Sequence, residues 1–228
     1  MRHWMCIGLF IFILGIGIVS PVIGDTEYAV GDTEAFQTAW DAMNISGETE
    51  ITIIFTADSI NVKKFSGVAG KHITLQSTAG QQFTISNIGV NLIGNLTFDN
   101  VRCYNSDSNI YANSHLFETT ENFTGGIGYL YGGGNEGMDV NGDTHLVLRG
   151  GNFDNMYGGG RDSNVSGSTH ILVDNVAVRT GNLFGGGYAH QTPHGIVGGD
   201  THIHIRQGTN GLLFGGGQNS YSTTADSR

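Results

Sequence analysis

A chain of 228 residues has room for one solenoid or one ordinary domain and little more. It carries 10 Lys and Arg against 20 Asp and Glu, a formal net charge of −10. Nucleic-acid binding needs grouped cations to displace counterions, and no such group exists, so nucleic acid and anionic membrane surfaces are excluded as partners. Only 13% of the residues are charged, while Gly numbers 37. The glycines fall between β-branched runs, a pattern of order with frequent tight turns rather than of disorder.

The chain opens with a polar start, Arg2 and His3, then an uncharged apolar run from Met5 to Val19. Ser20, Pro21 and the small Gly24 follow, ahead of Asp25. That layout predicts a cleaved secretory signal peptide over residues 1–24. An uncleaved anchor is the alternative, because the run approaches the length of a membrane span. No second hydrophobic stretch follows, so the cleaved product is expected to have no membrane span. Cys6 leaves with the leader, which strands Cys103 without a disulfide partner. Within Asn100-Val101-Arg102-Cys103 it reads as a small buried residue.

Residues 32–43 form the one convincing helical segment. Asp32 can cap it and Glu34 lies in its first turn, where negative charge suits the dipole. Phe36, Ala39, Trp40 and Met43 make one apolar stripe at i, i+3, i+4 and i+7. So short a helix must be held by packing.

Short strand signals come next: Ile51–Phe55, Ile60–Val62, Ile73–Leu75, Phe83–Ile85, Leu96–Phe98 and then Val101. Each is alternating or β-branched and bounded by Gly, Asn, Asp or Ser. From about Thr124 the chain repeats itself. Tyr131-Gly132-Gly133-Gly134 returns as Tyr157-Gly158-Gly159-Gly160, Phe184-Gly185-Gly186-Gly187 and Phe214-Gly215-Gly216-Gly217. Between these, Gly142-Asp143-Thr144-His145-Leu146 returns as Gly167-Ser168-Thr169-His170-Ile171 and Gly199-Asp200-Thr201-His202-Ile203. Two landmarks repeating in phase, about every 25–32 residues, mark a solenoid.

The repeat predicts an all-β, single-stranded parallel β-helix over residues 25–217, with the Gly-Gly-Gly repeats over 124–217 and a disordered tail over 218–228. Each coil holds one strand ending in aromatic-Gly-Gly-Gly and one starting at Thr-His. Alternation turns Thr144, Leu146 and Leu148 inward, with Thr169, Ile171 and Val173, then Thr201, Ile203 and Ile205, stacked on them. Tyr131, Tyr157, Phe184 and Phe214 should form an aromatic ladder. The glycine triplets are expected to supply positive-φ corners.

With an amphipathic N-terminal helix followed by short Ile/Thr strands, the sequence resembles the pectate-lyase-like superfamily of right-handed parallel β-helices. The Gly-Gly-Gly repeats are similar to those of large adhesin-like microbial surface proteins. The resemblance implies a right-handed coil whose open end is plugged by the helix. It is one of architecture, covering about residues 25–217, and implies no single activity.

Two constellations stand out as candidate sites. His145, His170 and His202 share one repeat position and should form an outward ladder, with His204 on the same face. Imidazoles one rung apart are candidate transition-metal ligands, weighed against a ladder left by duplication. Asp139-Val140-Asn141-Gly142-Asp143 has the form of a short calcium loop but lacks the downstream Glu, which favours a solvated turn. The expectation is therefore no metal and no cofactor. Asp154, Asp162 and Asp174 fall at scattered phases, and Arg149, Arg161, Arg179 and Arg206 are dispersed, so no acid/base pair for glycan cleavage can be named. The Asn-x-Ser/Thr sequons at Asn44, Asn95, Asn122 and Asn164 are ordinary in a chain so rich in these residues.

Function is accordingly read as non-catalytic: a secreted or cell-surface, adhesin-like protein whose flat repeating faces bind glycans or other surfaces. A polysaccharide lyase or hydrolase on the same fold is the alternative. No cap follows Phe214-Gly215-Gly216-Gly217, which suggests end-to-end association of copies or a piece of a longer repeat protein.

Overall fold

The computed structural model describes residues 27–57, 67–77, 84–85, 89–190 and 194–219. The leader, the strand expected at Ile60–Val62, Phe83 and residues 220–228 lie outside the described residues.

The chain is a parallel β-solenoid with one short helix near its N-terminus, as the repeats indicate. On one side the strands Glu27–Val30, Glu50–Phe55, His72–Ser77, Asn95–Asp99, Phe117–Thr119, Thr144–Leu148, the first part of Thr169–Phe184 and the first part of Thr201–Phe214 stack in that order. Every pairing is parallel, so each strand belongs to the coil after its neighbour's. A second side is built from Arg102–Tyr111, Thr124–Tyr131, Asn152–Tyr157 and the later parts of the two long strands. The pairing runs unbroken from the plain first half into the glycine-marked second half, because Phe117–Thr119 pairs with both Asn95–Asp99 and Thr144–Leu148.

Alternation sets the core. On the first side the inward rungs read Ile51, Ile73, Leu96, Phe117, Leu146, Ile171 and Ile203. The second side answers with Val90, Ile110, Leu130, Met156, Leu183 and Leu213. The rungs from Ile51 to Ile171 and from Val90 to Leu183 are buried, each worth roughly 1.5–3 kcal/mol by removal from water. Cys103 is buried among them, and burial pushes its thiol far above the usual range, so it stays protonated and inert.

The helix spans Thr33–Ile45, with Asp32 Oδ1 accepting the Ala35 N–H at 2.7 Å. Phe36, Ala39, Trp40 and Met43 are all buried in the same core cluster as the first coils, and Phe36 stacks on Phe55 at 5.9 Å. Lys71 holds the other end. Its ammonium donates to the carbonyls of the C-cap Ser46, at 2.8 Å, and of Glu48 just beyond it, at the end where the helix dipole favours a cation.

The triplet corners differ from expectation. Among the described residues the glycines with positive φ are Gly67, Gly70, Gly125, Gly137, Gly142, Gly151, Gly195 and Gly208, and no triplet glycine is among them. The triplets lack side chains because backbone approaches backbone. A Cβ on Gly158 would collide with the Gly185 carbonyl and lie 2.8 Å from Thr169 Cβ. Thr169 in turn donates to the Gly185 carbonyl at 2.6 Å, as Thr144 does to Gly158 at 2.7 Å and Thr201 to Gly215 at 2.6 Å. The two landmarks of the sequence are thus the two halves of one hydrogen bond, repeated in each coil.

After each corner the chain makes a third side too short to show as a strand in the sequence. Single parallel bridges join Asn135 to Arg161 to Tyr188, and Val140 to Val165 to Val197. Gln218–Asn219, expected to begin the tail, pairs in parallel with Tyr188–Ala189.

Candidate functional site

The aromatic ladder forms and is longer than the glycine triplets suggest. Tyr111, Tyr131, Tyr157, Phe184 and Phe214 stack with centroids 4.9, 4.9, 4.8 and 4.7 Å apart and planes within 12°. It is a cluster separate from the main core, facing away from Leu130, Met156 and Leu183. Tyr188, Arg161 and Gln218 cover it from the third side: Arg161 Nη1 lies 3.4 Å from Tyr111 Oη, and Tyr157 Oη donates to Gln218 Oε1 at 2.6 Å. Burial pushes the Tyr131 and Tyr157 hydroxyls above the usual range, so the ladder is neutral packing.

The histidine ladder forms as its register requires. His145 pairs with His170 and His170 with His202, their rings stacked at 4.9 and 4.7 Å, 10° and 11° from parallel. His204 sits one column over, beside Leu172. Lone pairs lie in the plane of an imidazole, so parallel stacked rings aim them side by side rather than at one point. Among the described residues no group of three His, Cys, Asp or Glu is arranged to hold a metal ion. Partial burial, then His145 and His202, lower the His170 pKa, and Asp143, 3.8 Å away, opposes them.

A group lowered in the folded state stabilises fully above its unfolded pKa, near 6.5, and loses that contribution as pH falls through the folded value. Melting from pH 7.5 down to 5.5 should therefore lower Tm more steeply in the natural chain than in His170→Gln. Equal pH slopes in the two would refute the assignment.

Asp139 and Asp143 serve the coil above them. Asp139 accepts the Asn164 backbone N–H at 2.7 Å and its side-chain amide at 3.2 Å. The backbone bond, aided by the amide, holds the carboxyl below its usual range. Asp143 accepts the Ser168 N–H at 2.7 Å. The next coil repeats both devices, with Asn164 Oδ1 accepting from Ile196 and Ser168 Oγ from Asp200. The acids are thus members of side-chain-to-backbone ladders.

The charged residues that look dispersed in the sequence include one column. Arg149 bonds Glu118 in the coil below and reaches Asp174 above at 3.9 Å, and Arg206 closes on Asp174 at 3.3 Å. Acid and base alternate coil by coil because the register places them one above another.

A cavity of about 210 Å³ lies on the outside of the early coils, lined by Glu50, Lys71, His72, Asn95 and His115 among others. Glu50, His72 and Asn95 stand opposite one another in register, just before the inward rung Ile51, Ile73 and Leu96. They occupy the strand position that His145, His170 and His202 fill higher up. Glu50 Oε2 lies 3.1 Å from His72 Nδ1, and His72 Nε2 lies 2.8 Å from Thr97 Oγ1. No repeat in the sequence announces this group, although the shared offset from the strand runs marks three of its members.

Compared with protein-family models, curated proteins and solved structures, the chain matches none. Its class is defined by its own geometry: a parallel β-solenoid with a helix at its first coils. Among the described residues no helix is long and apolar enough to cross a membrane.

Proposed function

We propose that this chain is a non-catalytic, adhesin-like β-helix protein, secreted or held at the cell surface, that binds glycans through its outer faces. The observation that carries the reading is the repetition of outward side chains at the coil spacing. The His145–His170–His202 stack, the Glu118–Arg149–Asp174–Arg206 column and the hydrogen bond of 2.9 Å that Asn182 Nδ2 donates to Asn155 Oδ1 lie on faces of paired strands. Regularly spaced hydrogen-bonding groups on a rigid face suit an extended partner that itself repeats. The apolar leader at residues 5–19 supports export, and the helix-then-strands order supports the likeness to pectate-lyase-like β-helices and repeat adhesins.

A polysaccharide-active enzyme is the second reading, favoured by the Glu50–His72–Thr97 chain of contacts beside a cavity. Copies of the chain are a further class of partner, since Leu212, Leu213 and Phe214 are exposed apolar side chains on one strand. One experiment separates the readings. The exported chain is applied to a glycan array and incubated with pectin and related polymers, with and without Ca²⁺. Retention without new chain ends supports adhesion, reproducible cleavage establishes the enzyme, and neither retention nor cleavage overturns both.

A further inference from the structure

We infer that the cavity between Glu50 and His115 is a sugar notch that takes one neutral polyhydroxylated ring, an inference that deepens the glycan-binding reading and rests on it. Its volume, about 210 Å³, falls below the roughly 300–1,000 Å³ of sites for drug-sized ligands, which limits the occupant to about one ring.

The polar groups around it are held from behind. Glu50 is steadied through Oε2 by His72, and its other oxygen is open. His72 is steadied by Thr97, which is buried. Asn95 Oδ1 accepts the Leu116 N–H at 2.9 Å, which turns its amide and leaves the Nδ2 donors without a partner among the described residues. His115 is half-buried and its ring makes no hydrogen bond among the described residues. A carboxylate acceptor, an amide donor and an imidazole that can do either, each aimed by a second bond or by packing, form a set suited to vicinal hydroxyls.

Charge narrows the ligand. Burial lowers the His115 pKa, so the imidazole stays neutral near pH 7. The lining cation, Lys71, spends its ammonium on the end of the helix. Lys71 keeps its positive charge there but turns it towards the Ser46 acceptors, whereas the Glu50 side chain is 76% exposed and faces the ligand, and its carboxylate disfavours uronates relative to neutral hexoses.

Two of the lining residues are glycines for different reasons: a Cβ on Gly94 would strike the carbonyls of Val68 and Lys71, whereas the side of Gly70 is open. Gly70, at φ +73°, has no atom within 4 Å of the position a Cβ would take. Gly70→Asn therefore places a side chain in open space, and Asn tolerates positive φ better than other residues. Saturation-transfer NMR and titration on the full chain should be run with glucose, galactose, mannose, N-acetylglucosamine and galacturonate. At least one neutral sugar is expected to bind in the millimolar range, at least tenfold more tightly than galacturonate. Gly70→Asn and His115→Ala should each weaken that binding at least tenfold with an unchanged melting curve. His115→Ala leaves the backbone turn alone and serves if Gly70→Asn disturbs the fold. Preference for galacturonate, or neutral-sugar binding equal in natural chain and variants, overturns the notch. Array retention that survives both variants also overturns it and leaves the broader reading intact, whereas a natural chain that binds neither the array nor any monosaccharide removes the two together.

Discussion

Gly158→Ala is expected to destabilise the solenoid by about 3 kcal/mol or more, among the largest effects of adding one methyl group anywhere in the chain. The new Cβ would meet the Gly185 carbonyl and the Cβ and Oγ1 of Thr169, the latter two at 2.8 Å. One neighbour is backbone and the other is a buried β-branched side chain, so neither can swing aside without shifting the coil above. For a chain of this size each kcal/mol moves Tm by roughly 2–4 °C. Gly216→Ala is the matched control. It falls in the last triplet, where a Cβ would meet nothing within 4 Å, and should lie within about 0.5 kcal/mol of the natural chain. Thermal melts of the two variants decide the matter, and equal shifts would show that the corners are not interlocked.

Thr169→Val should lower stability by about 1–3 kcal/mol, because it removes a buried hydroxyl and leaves the Gly185 carbonyl without that donor. Valine has nearly the shape of threonine, so the loss reports the hydrogen bond rather than a cavity. The same substitution at Thr201 removes a bond of the same length, 2.6 Å, but an exposed one. Water replaces that donor, and the change should be within about 1 kcal/mol. A Thr201→Val effect as large as that of Thr169→Val would mean that the hydroxyl matters through local strand propensity instead.

The parts of the fold that are legible in the sequence are those in which like stacks on like. Thr144, Thr169 and Thr201, the three histidines beside them and the aromatic residues before each triplet all recur at a fixed place, and their pairing follows from that recurrence. Columns of unlike residues hide from the same reading. Glu118, Arg149, Asp174 and Arg206 look scattered because each coil contributes a different charge. Tyr111 starts the aromatic ladder but is followed by Ala112-Asn113-Ser114 rather than glycines, so its kinship with Tyr131 shows only once the Ala112 N–H is seen bonded to the Tyr131 carbonyl at 2.8 Å. The third side escapes because a one-residue bridge such as Val140 to Val165 leaves no run of alternating residues.

The glycine triplets invite an explanation by φ, the commonest reason for a glycine, when the actual reason is distance to another coil. Distance of that kind is not local in sequence. The candidate cavity is half legible for a similar reason: Glu50, His72 and Asn95 share an offset from their strands, whereas His115 comes from a turn.

The bond from each threonine to the first glycine of its own corner spans only 14 to 16 residues, so it closes a coil upon itself. The backbone pairings at that corner reach the adjacent coil, and the bonds of Arg161 to Tyr111 and of Tyr157 to Gln218 reach one coil further. Such a molecule behaves as a one-dimensional stack, with the helix packed into the core of its first coils. It is also a ruler. Inserting or deleting one Thr-His to Gly-Gly-Gly unit would leave every surviving coil with neighbours of the same kind, and would change the reach of the protein by about 4.8 Å without a new core having to be invented.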